Sequence, residues 1–308
     1  MVQKIEYEDG KPCWHKGCLD HIKIPCEGCG RYGGHNEKPL RYAPVPEPTP
    51  VAQVPLAPTH VTPPKAESAI RLLAICTSFR RPEMLKNMLQ SFRATKSPGT
   101  DIFIYLHDDD PFLNEYQAFI DGWPHVVGPH KFLQRVVNDT VFEYRPETPY
   151  YQFICDDHIY HTIGWDALLI DAIKTKANDW GFCCGRDLAN NDNWELNKHP
   201  SAEIWSWKMA KTLGYIYARG FEHHGIDFYS KDLGLAIDAL TFVPEVVIEH
   251  LWYGGCGKPG DQNIIDHYKG PVMEKAQQVF LDWQKNEKQI AIDKIRAVQK
   301  EEANARHT

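Results

Sequence analysis

The sequence predicts an α/β protein with a mostly parallel sheet flanked by helices, and three observations carry that prediction. From Ser68 onward, short apolar runs alternate with segments of helical periodicity. The runs are continuous rather than alternating, as strands covered on both faces require. Acidic clusters follow two of the runs directly, at the strand ends where such sheets bind their ligands.

The elements follow in order. "IRLLAICTSF" is an apolar run closing in small polar residues. In "RRPEMLKNMLQSFRAT", Met84, Leu85, Met88, Leu89 and Phe92 recur at helical spacing, with Pro82 near the helix start. "DIFIYL" and "YYQFIC" are the next strands, "WDALLIDAIKTKA" a helix, and "WGFCCG" a strand. "ALTFVPEVVIEHLW" is a strand with a proline-interrupted lead-in. The tail from 271 to 308 is helical in pattern. Val272, Ala276, Val279, Phe280 and Trp283 share one stripe, and Ile292, Ile295 and Val298 follow. Such a stripe packs on the chain's own core or on a dimer partner.

Composition bounds the rest. At 308 residues, 43% hydrophobic and 24% charged, the chain suits one sizeable core plus a small accessory module. No apolar stretch reaches the roughly 18 residues of a membrane span, and the first residues carry no apolar leader, so a cytoplasmic location is expected, in the host cytoplasm if the source is viral. Residues 1–38 hold six basic and six acidic side chains, and residues 271–308 carry a net +1. The total of −7 therefore leaves −8 on residues 39–270. An acidic centre is poorly built to neutralise phosphate backbones and well suited to a divalent cation.

The first module, residues 1–38, has the spacing Cys13-x4-Cys18-x7-Cys26-x2-Cys29, with His15 and His21 interleaved. A structural Zn²⁺ takes four such ligands. Cys26 and Cys29 form the clearest knuckle, Cys13 and Cys18 complete the set, and the histidines stand in reserve. The other five cysteines lie in apolar contexts and read as small buried hydrophobes. Nine prolines between Pro39 and Pro64 make residues 39–67 an extended tether. The main α/β domain is expected over 68–270.

"HDDDP" follows "IFIYL", and "DDH" follows "QFIC". Paired carboxylates at a buried strand end repel each other unless a cation or protons intervene, and Mg²⁺ or Mn²⁺ resolves that repulsion. Asp156 and Asp157 also read as a helix cap or a loop ion pair. His250 ends a later strand in "VVIEHLWYGG", so two carboxylates and an imidazole can converge on one metal.

In their order, "LLAICTSFRRPEML", "YLHDDDP", "ICDDH" with "GWD", "HHGIDFYSKDLG" and "VVIEHLWYGGCGKPGDQ" resemble glycosyltransferases of the GT-A fold. The match is closest to a family-2-like branch frequent in viral and bacterial proteins, over about residues 68–268. The resemblance implies that Thr77, Ser78, Phe79, Arg80 and Arg81 border a nucleotide, and that Asp109, with Asp108 and Asp110 beside it, reads base and ribose. Gly128 and Asn138 fall where the family lines the sugar-diphosphate. Asp156 and Asp157 stand at the metal-binding acidic motif, His250 at the late metal-ligand histidine, and Asp227 at the general base. The motif here reads Asp-Asp-His, so Asp156, Asp157 and His158 all remain candidate ligands. Glu222 and His223 compete with Asp227.

What the resemblance implies is a metal-dependent transfer of a sugar from a nucleotide-sugar to an acceptor hydroxyl. Viral members suggest a hydroxymethylated pyrimidine in DNA as one acceptor; protein, polysaccharide and small-molecule acceptors stay open. The glycine-rich "LWYGGCGKPGDQ", with Lys258, reads as a mobile loop over the diphosphate or as a plain turn. Trp165, Trp194, Trp205 and Trp207 read as core packing or as stacking platforms. Two other classes use the same residues: a metal-dependent nucleotidyltransferase or phosphohydrolase, and an inactive transferase-fold binding protein.

Overall fold

The computed structural model describes residues 70–188, 199–251 and 270–305. The cysteine module, the proline-rich tether, Trp194 and the Lys258 loop lie outside the described residues.

The strands are β1 (Leu72–Ser78), β2 (Thr100–His107), β3 (His125–Gly128), β4 (Tyr150–Cys155), β5 (His158–Tyr160), β6 (Phe182–Arg186), β7 (Ile204–Ser206) and β8 (Leu240–His250). They form one eight-stranded sheet in the order β3-β2-β1-β4-β7-β6-β8-β5. β3, β2, β1 and β4 run parallel, with Ile75 opposite both Phe103 and Phe153. β7 lies antiparallel between β4 and β6, β6 and β8 are parallel again, and β5 is antiparallel to β8. The α/β sheet read from the sequence is present, with β7 and β5 as its antiparallel members.

The helices are α1 (Pro82–Thr95), α2 (Leu113–Ile120), α3 (Leu133–Asp139), α4 (Trp165–Ala177), α5 (Trp207–Leu213), α6 (Ile226–Ala236), α7 (Gly270–Asn286) and α8 (Lys288–Ala305). Pro82 opens α1 at a position whose missing amide proton costs nothing. The helix then buries Leu85, Met88, Leu89 and Phe92. Phe92 meets Tyr160 at 5.4 Å and Trp165 at 5.8 Å, which locks α1 to β5 and α4.

Strand β6 approaches β8 closely at Gly181. Its φ is +90°, and a Cβ there would lie 1.9 Å from the Ala239 carbonyl oxygen. Only glycine passes this point.

The expected single helical tail divides into two helices at Glu287. Phe280, Trp283, Ala291, Ile292 and Ile295 are buried. Trp283 packs 4.7 Å from the Tyr229 ring, so the stripe covers this chain's own core. Trp165 and Trp205 are fully buried packing residues, and Trp207 lies half-buried against Phe142. No described helix is long and apolar enough to cross a membrane.

Candidate active site

Three strand ends meet at the acidic turn between β4 and β5. Asp156 Oδ2 accepts a 2.7 Å hydrogen bond from Ser78 Oγ at the end of β1. One guanidinium nitrogen of Arg81 bridges the pair, 3.2 Å from Asp156 Oδ1 and 3.3 Å from Asp157 Oδ2. Tyr116 on α2 braces this corner: its hydroxyl lies 2.9 Å from Ser78 Oγ and accepts the Arg81 amide at 2.8 Å. Both aspartates are buried.

The end of β8 closes the other side. His250 pairs with His158 across β5 and β8, and the two imidazoles stack at 4.5 Å. The His250 amide donates to Asp187 Oδ1 at the exit of β6, and the Leu251 amide donates to the Asp157 carbonyl. His250 Nε2 sits 3.1 Å from Asp157 Oδ1. That buried oxygen makes no hydrogen bond of ordinary geometry among the described residues. A carboxylate oxygen and a ring nitrogen that face each other in this way form an ion pair and can also serve as co-ligands of a cation. The Cys155 thiol completes the group, with all three ligand atoms within 4.8 Å of one another.

Charge compensation is uneven. Burial pushes the Asp156 carboxyl up, and Arg81 offsets this only in part. Burial acts on Asp157 too, but His250 and Arg81 outweigh it and hold that carboxyl well below the usual range. Burial, then the neighbouring His250, lowers the pKa of His158 and favours its neutral ring. His158 Nδ1 already accepts the Cys155 amide at 2.8 Å, which ties this nitrogen to the turn.

The residues that the resemblance gives to the nucleotide separate into two groups. Phe79 turns its ring edge-on to His107 and His130, and the Arg80 guanidinium lies 4.9 Å above Phe79. Thr77 is the penultimate residue of β1, level with Cys155 of β4. Asp108 and Asp109 are exposed. Asp110 is buried and holds the turn, accepting the Arg80 amide at 2.6 Å and the Phe112 amide at 2.8 Å. Asn138 is committed to backbone: its amide donates to the Tyr217 carbonyl at 2.8 Å and accepts from Ile216 at 2.8 Å.

Asp227 stands in the first turn of α6, in an ion pair with the buried His199. Of its competitors, Glu222 is engaged by Lys275 at 2.6 Å, and the His223 ring lies against His224 at 5.1 Å. Residues 199–203 connect this group to the acidic turn. Ser201 Oγ lies 3.4 Å from His158 Nε2. Buried Glu203 accepts hydrogen bonds from Tyr217 Oη at 2.9 Å and Ser230 Oγ at 2.8 Å. Burial raises its pKa, and Asp227 adds to the shift.

Sequence reasoning missed Tyr116, Asp187, His199 and Glu203, and it treated Cys155 as a packing residue. Asp187 follows a strand in "CCGRDL" and was available to the same strand-exit rule that found Asp156. His199 and Glu203 lie on an irregular segment without periodicity, and no local signal marks them.

No family model and no curated protein sequence matches the chain. Among solved structures it is similar to residues 1–349 of S. aureus TarS, at 8% identity and a TM-score of 0.44, over 67% of this chain and 71% of that one. The same protein in complex with UDP-GlcNAc gives 8% identity and 0.43, over 67% and 72%. The mannosyltransferase PcManGT from Pyrobaculum calidifontis, in complex with GDP-Man and Mn²⁺, gives 10% identity and 0.45, over 78% and 76%.

Proposed function

We propose that the chain is a metal-dependent glycosyltransferase of the GT-A type that moves a sugar from a nucleotide-sugar donor to an acceptor hydroxyl. The observation that carries this reading is the Asp157–His250 contact: a buried carboxylate oxygen 3.1 Å from an imidazole nitrogen, with the Cys155 thiol in reach of both. In this reading Asp157 and His250 hold the ion, with the Cys155 thiol beside them. The carboxylate suits Mn²⁺ and Mg²⁺ alike, and the imidazole and thiol beside it extend the site to softer transition ions. When bound, the ion supplies Lewis-acid stabilisation of charge on a leaving diphosphate.

The chain's own residues do the rest. Ser78 and Arg81 fix the orientation of Asp156 and balance its charge. Phe79, Arg80 and the exposed Asp108 and Asp109 border the nucleotide, and Lys258 is proposed to reach the diphosphate. Asp227 takes the proton of the attacking hydroxyl. A carboxylate within hydrogen-bond reach suffices for this, and the ion pair with His199 holds it in place. A hydroxymethylated pyrimidine in viral DNA belongs to the reading as one acceptor. The −8 charge of residues 39–270 weighs for a smaller acceptor instead. Residues 1–38 are proposed as a structural zinc module on Cys13, Cys18, Cys26 and Cys29.

The test is a thermal-shift screen against UDP-, GDP-, CMP- and dTDP-sugars, with Mn²⁺ and with EDTA. A donor at about 100 times its dissociation constant stabilises the fold by roughly 2.7 kcal/mol. The expected result is a Mn²⁺-dependent shift with one nucleotide class, absent in Asp157→Ala, and slow release of nucleoside diphosphate. Release of nucleoside monophosphate and sugar phosphate would replace the transferase by a phosphohydrolase. No shift with any donor would leave the inactive binding protein.

A further inference from the structure

The exit of β2 carries a second set of ligating side chains that the reading above leaves without a common task. His107 closes β2, Asp109 follows in the acidic turn, and His130 follows β3. Their ligand atoms all lie within 4.8 Å of one another. We propose that His107, Asp109 and His130 form a second metal site, which takes a transition ion of the zinc class through two imidazoles and one carboxylate and keeps one position open.

The spacing fits such an ion. Zinc bonds of about 2.0–2.2 Å to nitrogen and oxygen put tetrahedral co-ligands roughly 3.4 Å apart. His130 Nδ1 and Asp109 Oδ1 are 3.3 Å apart. The imidazoles of His107 and His130 stack at 4.3 Å, and Phe79 sets its edge against both. Two imidazoles select zinc, nickel or copper over magnesium or calcium, which prefer oxygen ligands alone.

The frame is rigid where it needs to be and adjustable where ligands must move. The Asp108 amide donates to the Gly128 carbonyl at 2.8 Å, and Tyr105 Oη donates to the Pro129 carbonyl at 2.8 Å. A Cβ on Gly128 would lie 2.6 Å from Tyr105 Oη, so this turn sits tight on β2. His107 is buried and fixed. The Asp109 and His130 side chains are 55% and 48% exposed, which leaves them room to turn onto an ion. The long 3.4 Å approach of the Lys131 amide to His107 Nδ1 is a weak competitor for that ring. A plain surface pair of His130 and Asp109 would need no buried imidazole behind it.

The site shares no residue with the acidic turn of β4; Asp109 is the one ligand it has in common with the residues proposed to border the nucleotide, and its test reads zinc content rather than sugar transfer. The test counts zinc bound to the full-length chain, by elemental analysis after dialysis against a saturating, buffered zinc concentration. His130→Ala and Asp109→Asn each change a half-exposed side chain and should fold, which circular dichroism checks. Each is expected to lose one equivalent relative to wild type. The same one-equivalent loss is expected when His130→Ala is made in the Asp157→Ala background, which separates the site from the acidic centre. Equal zinc content in wild type and both variants overturns the proposal.

Discussion

Two buried carboxyl centres in this molecule received different partners. At the end of β4, Asp156 and Asp157 share the Arg81 guanidinium, and Asp157 faces His250. Just before β7, Glu203 is as deeply buried, yet it accepts from the hydroxyls of Tyr217 and Ser230. Burial opposes ionisation at both. Positive neighbours reverse that opposition at Asp157, whereas hydroxyls do not at Glu203. Depth therefore does not decide whether a buried carboxyl is ionised; the charge beside it does.

Removing the positive partner is the most severe way to break this contrast. Arg81→Ala leaves two buried carboxylates without their bridge, and loss of one member of a buried ion pair costs about 3–5 kcal/mol. Urea denaturation measures it. Arg81→Lys restores the charge without the planar fork and should recover only part of the loss. With Asp157 and His250 as the ligands of a divalent ion, Mn²⁺ should narrow the Arg81→Ala deficit and EDTA should restore it. A deficit below about 1 kcal/mol, the range of exposed pairs, would mean that Arg81 does not carry the charge balance.

A smaller perturbation probes the neutral contribution to the same corner. Ser78→Ala removes the 2.7 Å hydrogen bond to Asp156 and leaves the Tyr116 hydroxyl in place. An unsatisfied buried acceptor costs about 1–3 kcal/mol. The variant should therefore fall between wild type and Arg81→Ala in midpoint. A midpoint equal to wild type would show that Arg81 alone satisfies Asp156.

The two centres also differ in how far the sequence disclosed them. β1, β2, β4 and β8 are long apolar runs whose ends are legible in the sequence, and Asp156, Asp157 and His250 stand at those ends. Asp157 meets His250 through the antiparallel pairing of β5 with β8, which sets His158 opposite His250 and which no apolar run discloses. β5 and β7 have three residues each, too few for a period to register, and their pairing is decided by tertiary contacts. The segment 199–203, which brings His199 to Asp227 and Glu203 beside them, falls between such elements. Asn138 illustrates the opposite case. Its place in a motif suggested a ligand contact, while its amide bonds the backbone of residues 216 and 217.

Glu203→Gln is the mildest test and the one whose sign is least intuitive. The glutamine keeps an oxygen to accept from Tyr217 and Ser230 and removes the ionisable proton. Burial raises the Glu203 pKa in the folded chain above its unfolded value. Between those two values the native state binds more protons than the unfolded state, so wild-type stability falls as pH rises through that window. Below the ordinary glutamate value both forms are protonated and this contribution to stability is fully present. The variant lacks the titration altogether. Chemical denaturation of both chains should therefore give similar stabilities in acid, with Glu203→Gln gaining on wild type as the medium becomes neutral. Titrating groups that do not interact with Glu203 cancel in the difference; Asp227, which adds to the Glu203 shift, contributes in the same sense. A gap that is constant with pH would show that Glu203 is ionised as easily in the fold as outside it, and the contrast with Asp157 would then rest on something other than the charge of its neighbours.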